Sequence, residues 1–200
     1  MKKIVLAAIA VMGFSFANAQ DVKYGVKGGI NLSTFTGDVE DASSKVGFQA
    51  GGFAEIKLSD KFSIQPEMLY SLQGAKFKET EDSYTYTENV NASYLNVPVM
   101  AKYYVVDKFS VEAGPQVGFL LAAKSKWEET YEGEMYSGKE NVKDSFKTVD
   151  FSLNVGAGYD FTENVSAGLR YNFGLSNISD FSDNAKIHNN VISLSVGYKF

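Results

Sequence analysis

Ten ionisable side chains lie in stretches that are otherwise apolar at every second position: Lys27, Lys57, Lys102, Arg170 and Lys199 against Glu55, Glu67, Glu112, Asp150 and Asp160. Charges in such surroundings must pair or carry a large desolvation cost, so the chemistry they offer is ion pairing. Catalytic chemistry is thinly represented. His188 is the sole histidine and sits beside Asn189 and Asn190; a pair with Asp180 or Asp183 can be drawn, but no nucleophile is spaced to complete a relay. No catalytic residue is expected, and the protein is not expected to be an enzyme. The absence of cysteine removes disulfide, iron–sulfur and thiolate–metal chemistry. Acidic groups occur at Asp38/Glu40/Asp41, Glu79/Glu81/Asp82 and Glu128/Glu129/Glu132/Glu134. None has the spacing of a calcium loop, so they are expected to be solvated, with no metal or cofactor bound. Gly28-Gly29 and Gly156-Ala157-Gly158 precede no helix and are not phosphate loops.

The elements carrying these residues are strands. In the last ten residues Ile192, Leu194, Val196, Tyr198 and Phe200 alternate with Ser193, Ser195, Gly197 and Lys199, which is the period of a strand and not of a helix. The same alternation marks strands over 23–32, 46–58, 62–74, 93–105, 109–122, 148–161 and 165–176. Their connections alternate long (33–45, 76–92, 123–147, 177–190) with short (around Asp60, Asp107 and Glu163). The short turns are followed by similar text, Lys61-Phe62-Ser63-Ile64, Lys108-Phe109-Ser110-Val111 and Asn164-Val165-Ser166-Ala167, a hairpin repeat. Long outer loops, short inner turns and an apolar outward face predict an all-β fold: an eight-stranded antiparallel up-and-down transmembrane β-barrel. Aromatics gather at the strand ends: Tyr24, Phe62, Tyr103, Phe109, Tyr159, Phe161, Tyr198 and Phe200 on the turn side, and Phe48, Tyr94, Phe119, Phe151 and Phe173 on the loop side. Such girdles anchor a barrel at the two membrane interfaces. Pro66, Pro98 and Pro115 fall inside strands, where each removes a ladder donor, and are expected at bulges or irregular pairing.

Met1-Lys2-Lys3, the apolar run from Ile4 to Phe16 and Ala17-Asn18-Ala19 form an export signal with a small-residue cleavage site. Residues 1–19 are expected to be removed, leaving 20–200 as one barrel domain. Losing Lys2 and Lys3 moves the net charge from −5 to −7, which does not suit nucleic acid. An eight-stranded barrel is narrow enough for side chains to fill. The inward charges are therefore expected to form a lumen plug centred on Arg170 with Glu67 and Glu112, joined by Lys102, Lys27 and Glu55.

Several segments carry a family resemblance: Tyr24-Gly25-Val26-Lys27-Gly28-Gly29-Ile30-Asn31-Leu32-Ser33, Phe62-Ser63-Ile64-Gln65-Pro66-Glu67-Met68-Leu69-Tyr70, Tyr94-Leu95-Asn96-Val97-Pro98-Val99, Glu112-Ala113-Gly114-Pro115-Gln116-Val117-Gly118, Gly168-Leu169-Arg170-Tyr171 and Val196-Gly197-Tyr198-Lys199-Phe200. Across essentially the whole mature chain it resembles the porin-like outer-membrane β-barrel proteins of Bacteroidetes, distant from the OmpA/OmpX type. The prolines belong to that pattern. The resemblance implies a bacterial outer-membrane location among outer-membrane lipid and recognition of the last strand, ending at Phe200, by the barrel-assembly machinery. A monomer is expected. For function the expectation is a structural or surface-interaction barrel with a filled lumen and long extracellular loops. Alternatives are a narrow passive pore, a membrane enzyme and a soluble periplasmic lipocalin-like barrel.

Overall fold

A computed structural model describes residues 22–39, 41–81, 84–131, 133–180 and 185–200. The export signal over 1–19, together with Glu40, Asp82, Glu132 and Asp183, lies outside the described residues. The strands are β1 (Val22–Gly37), β2 (Ala42–Ser59), β3 (Phe62–Glu81), β4 (Tyr84–Val106), β5 (Phe109–Tyr131), β6 (Glu134–Asn141), β7 (Val149–Asp160), β8 (Val165–Gly174) and β9 (Ile187–Lys199), with one 3-10 turn at Lys143–Ser145. All pairings are antiparallel. β1 pairs with both β2 and β9, β4 with β5, and β5 with β7, so eight strands close into a ring. β6 is not part of the ring and pairs with β5 alone.

The two faces of the ring follow the alternation in the sequence. On β9, Leu194 and Val196 are 53% and 58% exposed, while Ser193 and Ser195 are 6% and 7% exposed. An apolar exterior and a polar interior are the arrangement a lipid-embedded ring requires. Among the described residues no helix is long and apolar enough to cross a membrane; the wall that can do so is the ring of strands.

Two features differ from the sequence expectation. Residues 76–81 and 84–92 are paired strand rather than loop, with β3 and β4 running together from Gly74↔Asn91 out to Glu81↔Tyr84. Likewise β5 continues to Tyr131 and returns as β6. These segments lose apolar alternation because neither face meets hydrocarbon, yet Thr and Tyr keep strand propensity and the ladder simply propagates. The prolines sit where pairing lapses without slipping. The β3–β4 ladder resumes at Leu69↔Asn96 after Pro66↔Val99, and the β4–β5 ladder passes from Pro98↔Gln116 to Ala101↔Ala113 in unchanged register. They are gaps, not bulges: three donors are missing from one patch of wall around Val99. The bulge on this side lies at Leu121, opposite Ser93 and Tyr94.

Candidate functional site

The interior of the ring is filled in layers. The central layer is built on Arg170, which β8 aims inward opposite β3 and β5. Its Nε donates to Glu112 Oε1 at 2.9 Å, Nη1 to Glu67 Oε2 at 3.0 Å and Nη2 to Glu67 Oε1 at 3.0 Å. The fork on Glu67 is bidentate, the geometry a planar guanidinium favours. Lys27 Nζ from β1 reaches the same Glu67 Oε1 at 2.8 Å, and Gln65 Nε2 donates to it at 2.7 Å. Two cations and two carboxylates from four strands thus cross the bore and sum to zero. Burial is nearly complete, with the Glu67 side chain 0% exposed.

On the turn side a second cluster gathers on Glu55. Lys102 Nζ donates to it at 3.0 Å, Lys199 Nζ at 3.1 Å and the Tyr104 hydroxyl at 2.8 Å. Lys199 also reaches Asp160 at 3.2 Å. Lys57 differs from expectation: it stands at the rim with its side chain 47% exposed, 3.6 Å from Asp60, because it lies at the end of β2 beside the turn into β3. Below these residues a vestibule of about 870 Å³ opens among the short turns, lined by Glu55, Lys57, Tyr104, Asp107, Asp160 and Lys199.

On the loop side of Arg170 the charges give way to amides. Asn172 Nδ2 donates to Ser152 at 2.8 Å and Asn154 at 3.1 Å, Asn31 Nδ2 to Ser71 at 2.8 Å, and Asn189 Nδ2 to Gln73 at 2.6 Å. Beyond them lies an apolar cap. Phe35, Ala75, Val90, Ala92, Tyr94, Leu120, Ala123 and Ile187 point in from the strands, and Phe146 and Ile178 close over them from two connections. Those connections are tied together by Lys147 N–H to the Ile178 carbonyl at 2.8 Å and Asp180 N–H to the Ser145 carbonyl at 3.0 Å. Asp150, expected inside, is buried at this end and accepts from Ser176 Oγ at 2.7 Å.

Alternation could not reveal the cap, since Phe146 and Ile178 lie in irregular segments. Tyr94 is a correction: it is buried in the cap and not in the outer girdle, because it has the inward parity of Asn96 and Lys102. Phe53 was also missed. It lies inside against Gly25 and Gly197, with Lys27 Nζ 5.8 Å from its ring centre. A Cβ on Gly25 would stand 2.5 Å from the Tyr198 carbonyl and 2.4 Å from the Phe53 ring. Gly25→Ala is accordingly expected to cost about 1–3 kcal/mol by overpacking, read as a lower urea midpoint for the barrel in detergent.

The turn-side aromatics Tyr24, Tyr103, Phe109, Tyr159, Phe161, Tyr198 and Phe200 are exposed on the exterior, with Phe62 half-buried. Rings pair along one strand, Tyr198–Phe200 at 5.6 Å and Tyr159–Phe161 at 5.1 Å. His188 lies apart from any relay, its Nδ1 donating to the Ser176 carbonyl at 3.0 Å, while Asp180 is spent on the cap through its amide. Glu128 and Glu129 point to opposite faces of β5, so adjacent acids do not converge; among the described residues no three potential ligands could hold a metal ion.

A closed antiparallel ring with an apolar exterior and a filled polar bore is a small transmembrane β-barrel. The chain belongs to the outer membrane protein beta-barrel domain family, whose model matches residues 17–180. It is an outer-membrane protein, held in outer-membrane lipid. No curated protein matches it in sequence. Among solved structures it is similar to Ail, the attachment invasion locus protein of Yersinia pestis, with TM-score 0.54 and 12% identity over 90% of this chain and 100% of that one. It is also similar to Neisserial surface protein A, with TM-score 0.52 and 13% identity over the same shares. A structure of Ail in complex with the heparin analogue sucrose octasulfate aligns with TM-score 0.50 and 13% identity over 90% of this chain and all of that one. At these identities the likeness is one of fold.

Proposed function

We propose that this barrel is a closed surface element of the outer membrane, acting through structure and outward contacts rather than by conduction or catalysis. One observation carries the proposal: the bore is occupied twice in series, by the neutral Arg170–Glu67–Glu112–Lys27 layer and by the apolar cap under Phe146 and Ile178. Lys102, Glu55 and Lys199 brace the turn end of the same plug. The exterior aromatics act as interface anchors. The hairpins β3–β4 and β5–β6 supply the contact surface; the neighbour Ail, named for attachment and invasion, is similar in fold. His188 is a structural donor and no reacting group. Residues 1–19 act as the cleaved export signal before the domain over 20–200. β9 ending at Phe200 is the strand presented to the assembly machinery, and the membrane wall has no free strand edge, which supports a monomer. The resemblance of the segments quoted above supports kinship with the porin-like proteins of Bacteroidetes.

Planar-bilayer recording tests the proposal. The folded mature protein is expected to give no steady single-channel steps; regular steps of uniform size would make the narrow passive pore the correct function.

A further inference from the structure

Beyond the ring, the sheet of β3, β4, β5 and β6 keeps its aromatic rings and most of its acids on one face. Residues directly paired across strands share a face, so the rows can be read from the register. Continuing the inward side of Ala75 and Val90, one row runs Phe77, Glu88, Trp127, Gly138. The next runs Glu79, Tyr86, Glu129, Tyr136, and the last Glu81, Tyr84, Tyr131, Glu134. Every acid in these rows has a ring directly beside it across the ladder, and Glu140 adds a sixth carboxylate from the row of Val90 and Ser125. Among the described residues this face carries no lysine or arginine; Lys76, Lys78, Lys124, Lys126 and Lys139 all stand on the other.

The fold leaves both sets of groups available. Among the described residues none of the six carboxylates has a cationic partner, although Glu88 accepts from the Ser125 hydroxyl. Tyr131 and Tyr136 are exposed, and Phe77, Tyr84, Tyr86 and Trp127 are half-buried. Trp127 lies across β6 at Gly138, where an added Cβ would stand 2.5 Å from the indole, so the ring rests on the sheet instead of standing off it. The Tyr86 phenol registers the crowding of negative charge: its pKa is raised by partial burial first and then by Glu88, Tyr84, Glu140 and Glu129.

Uncompensated carboxylates interleaved with rings suit a cation that can use both. A guanidinium forks onto a carboxylate and stacks on an aromatic face; an ammonium does the first as a point charge and the second less well. Spacing agrees as well. Successive rows are two residues apart, about 7 Å, which is also the repeat of alternate side chains along an extended peptide. A strand-like segment with arginine at every second position therefore sets one guanidinium on each row. We infer that the inward face of the β3–β4–β5–β6 sheet, through Glu79, Glu88 and Glu129 with Tyr86 and Trp127, binds an arginine-rich extended segment of a partner protein, which rests on the hairpins being the contact surface proposed above. Cleavage in the 124–141 hairpin by protease added to intact cells reads separately whether that surface faces outward.

The test uses the folded mature barrel in dodecylphosphocholine micelles, whose headgroups carry no net charge to compete for the probe. The probe is a decapeptide alternating Arg with Thr, followed by anisotropy when dye-labelled and by the emission of Trp127, the sole tryptophan, when unlabelled. Both signals are expected to change saturably, with affinity falling as NaCl rises above about 0.1 M, where screening acts over about 10 Å. E79Q/E88Q/E129Q is expected to weaken binding by about tenfold, as the loss of three exposed ion pairs would. K76Q/K126Q/K139Q, on the other face, is expected not to weaken it. Trp127→Ala is expected to weaken the arginine peptide more than its lysine counterpart, since stacking is lost along with no charge. Binding left unchanged by the glutamate replacements, in protein whose heat-modifiable mobility shows the barrel folded, overturns the inference. A Trp127 response to neutral oligosaccharides and not to the peptide overturns it too, since the face would then serve sugars. A barrel that conducts yet binds the peptide would sink the closed-element function alone, whereas a silent barrel that ignores the peptide would sink this inference alone.

Discussion

Arg170→Met is expected to lower the folding free energy of the barrel by about 3–5 kcal/mol, the usual consequence of stranding one member of a buried ion cluster. The layer holds Arg170 and Lys27 against Glu67 and Glu112. Without Arg170, Glu67 keeps Lys27, while Glu112 loses its partner inside a wall that excludes water. The second substitution follows directly: adding Glu112→Gln restores neutrality, and the double variant is expected to recover most of the loss. Urea titration of refolding into lipid vesicles, with the boiled and unboiled gel mobilities as the folded signal, reads both. A single-variant cost under about 1 kcal/mol, as for a solvent-screened surface pair, would mean that the bore is wet and the plug is not a plug.

Ile178→Asp is expected to release the cap without releasing the barrel. Ile178 is 0% exposed and packs in one apolar cluster with Phe35 and Phe146, whose rings are 5.7 Å apart. An isolated carboxylate there has no cation among its neighbours in that cluster, and burying one costs several kcal/mol, more than the few hydrogen bonds tying the two connections can offset. Proteolysis should therefore nick the 142–148 and 175–180 connections far faster than in wild type. The ring has its own ladder on both sides of every strand, so heat-modifiable mobility should persist. Unchanged protection of both connections would show that Ile178 is not what seals the outer end.

What the sequence made legible follows from where hydrocarbon imposes a period. Around β9 every second residue must be apolar, and the alternation of Ile192, Leu194 and Val196 with serines located the strand and its faces. The inward charges were legible for the same reason: a lysine or glutamate between outward valines has only one place to go. Above the membrane that constraint ends, and the paired segments on either side of Lys76 and Lys126 therefore resemble loops in sequence. Partner choice within the bore was less visible. Nothing in spacing sends Lys102 to Glu55 and not to Glu112, its direct neighbour across the β4–β5 ladder; strand tilt and the reach of each side chain decide it. The cap was invisible because it depends on two connections folding back, which no periodicity records.

The Phe200 amide donates to the Tyr24 carbonyl at 2.8 Å, so β1 and β9 complete the ring beside the point where each begins or ends. A cylinder with such a seam has no intrinsic first stave. Recut at the Asp60–Lys61 turn and spliced across the old seam, the polypeptide would trace the same circle while offering β2 instead of β9 as its trailing segment. Ring closure and the insertion signal proposed for β9 would then be carried by different strands.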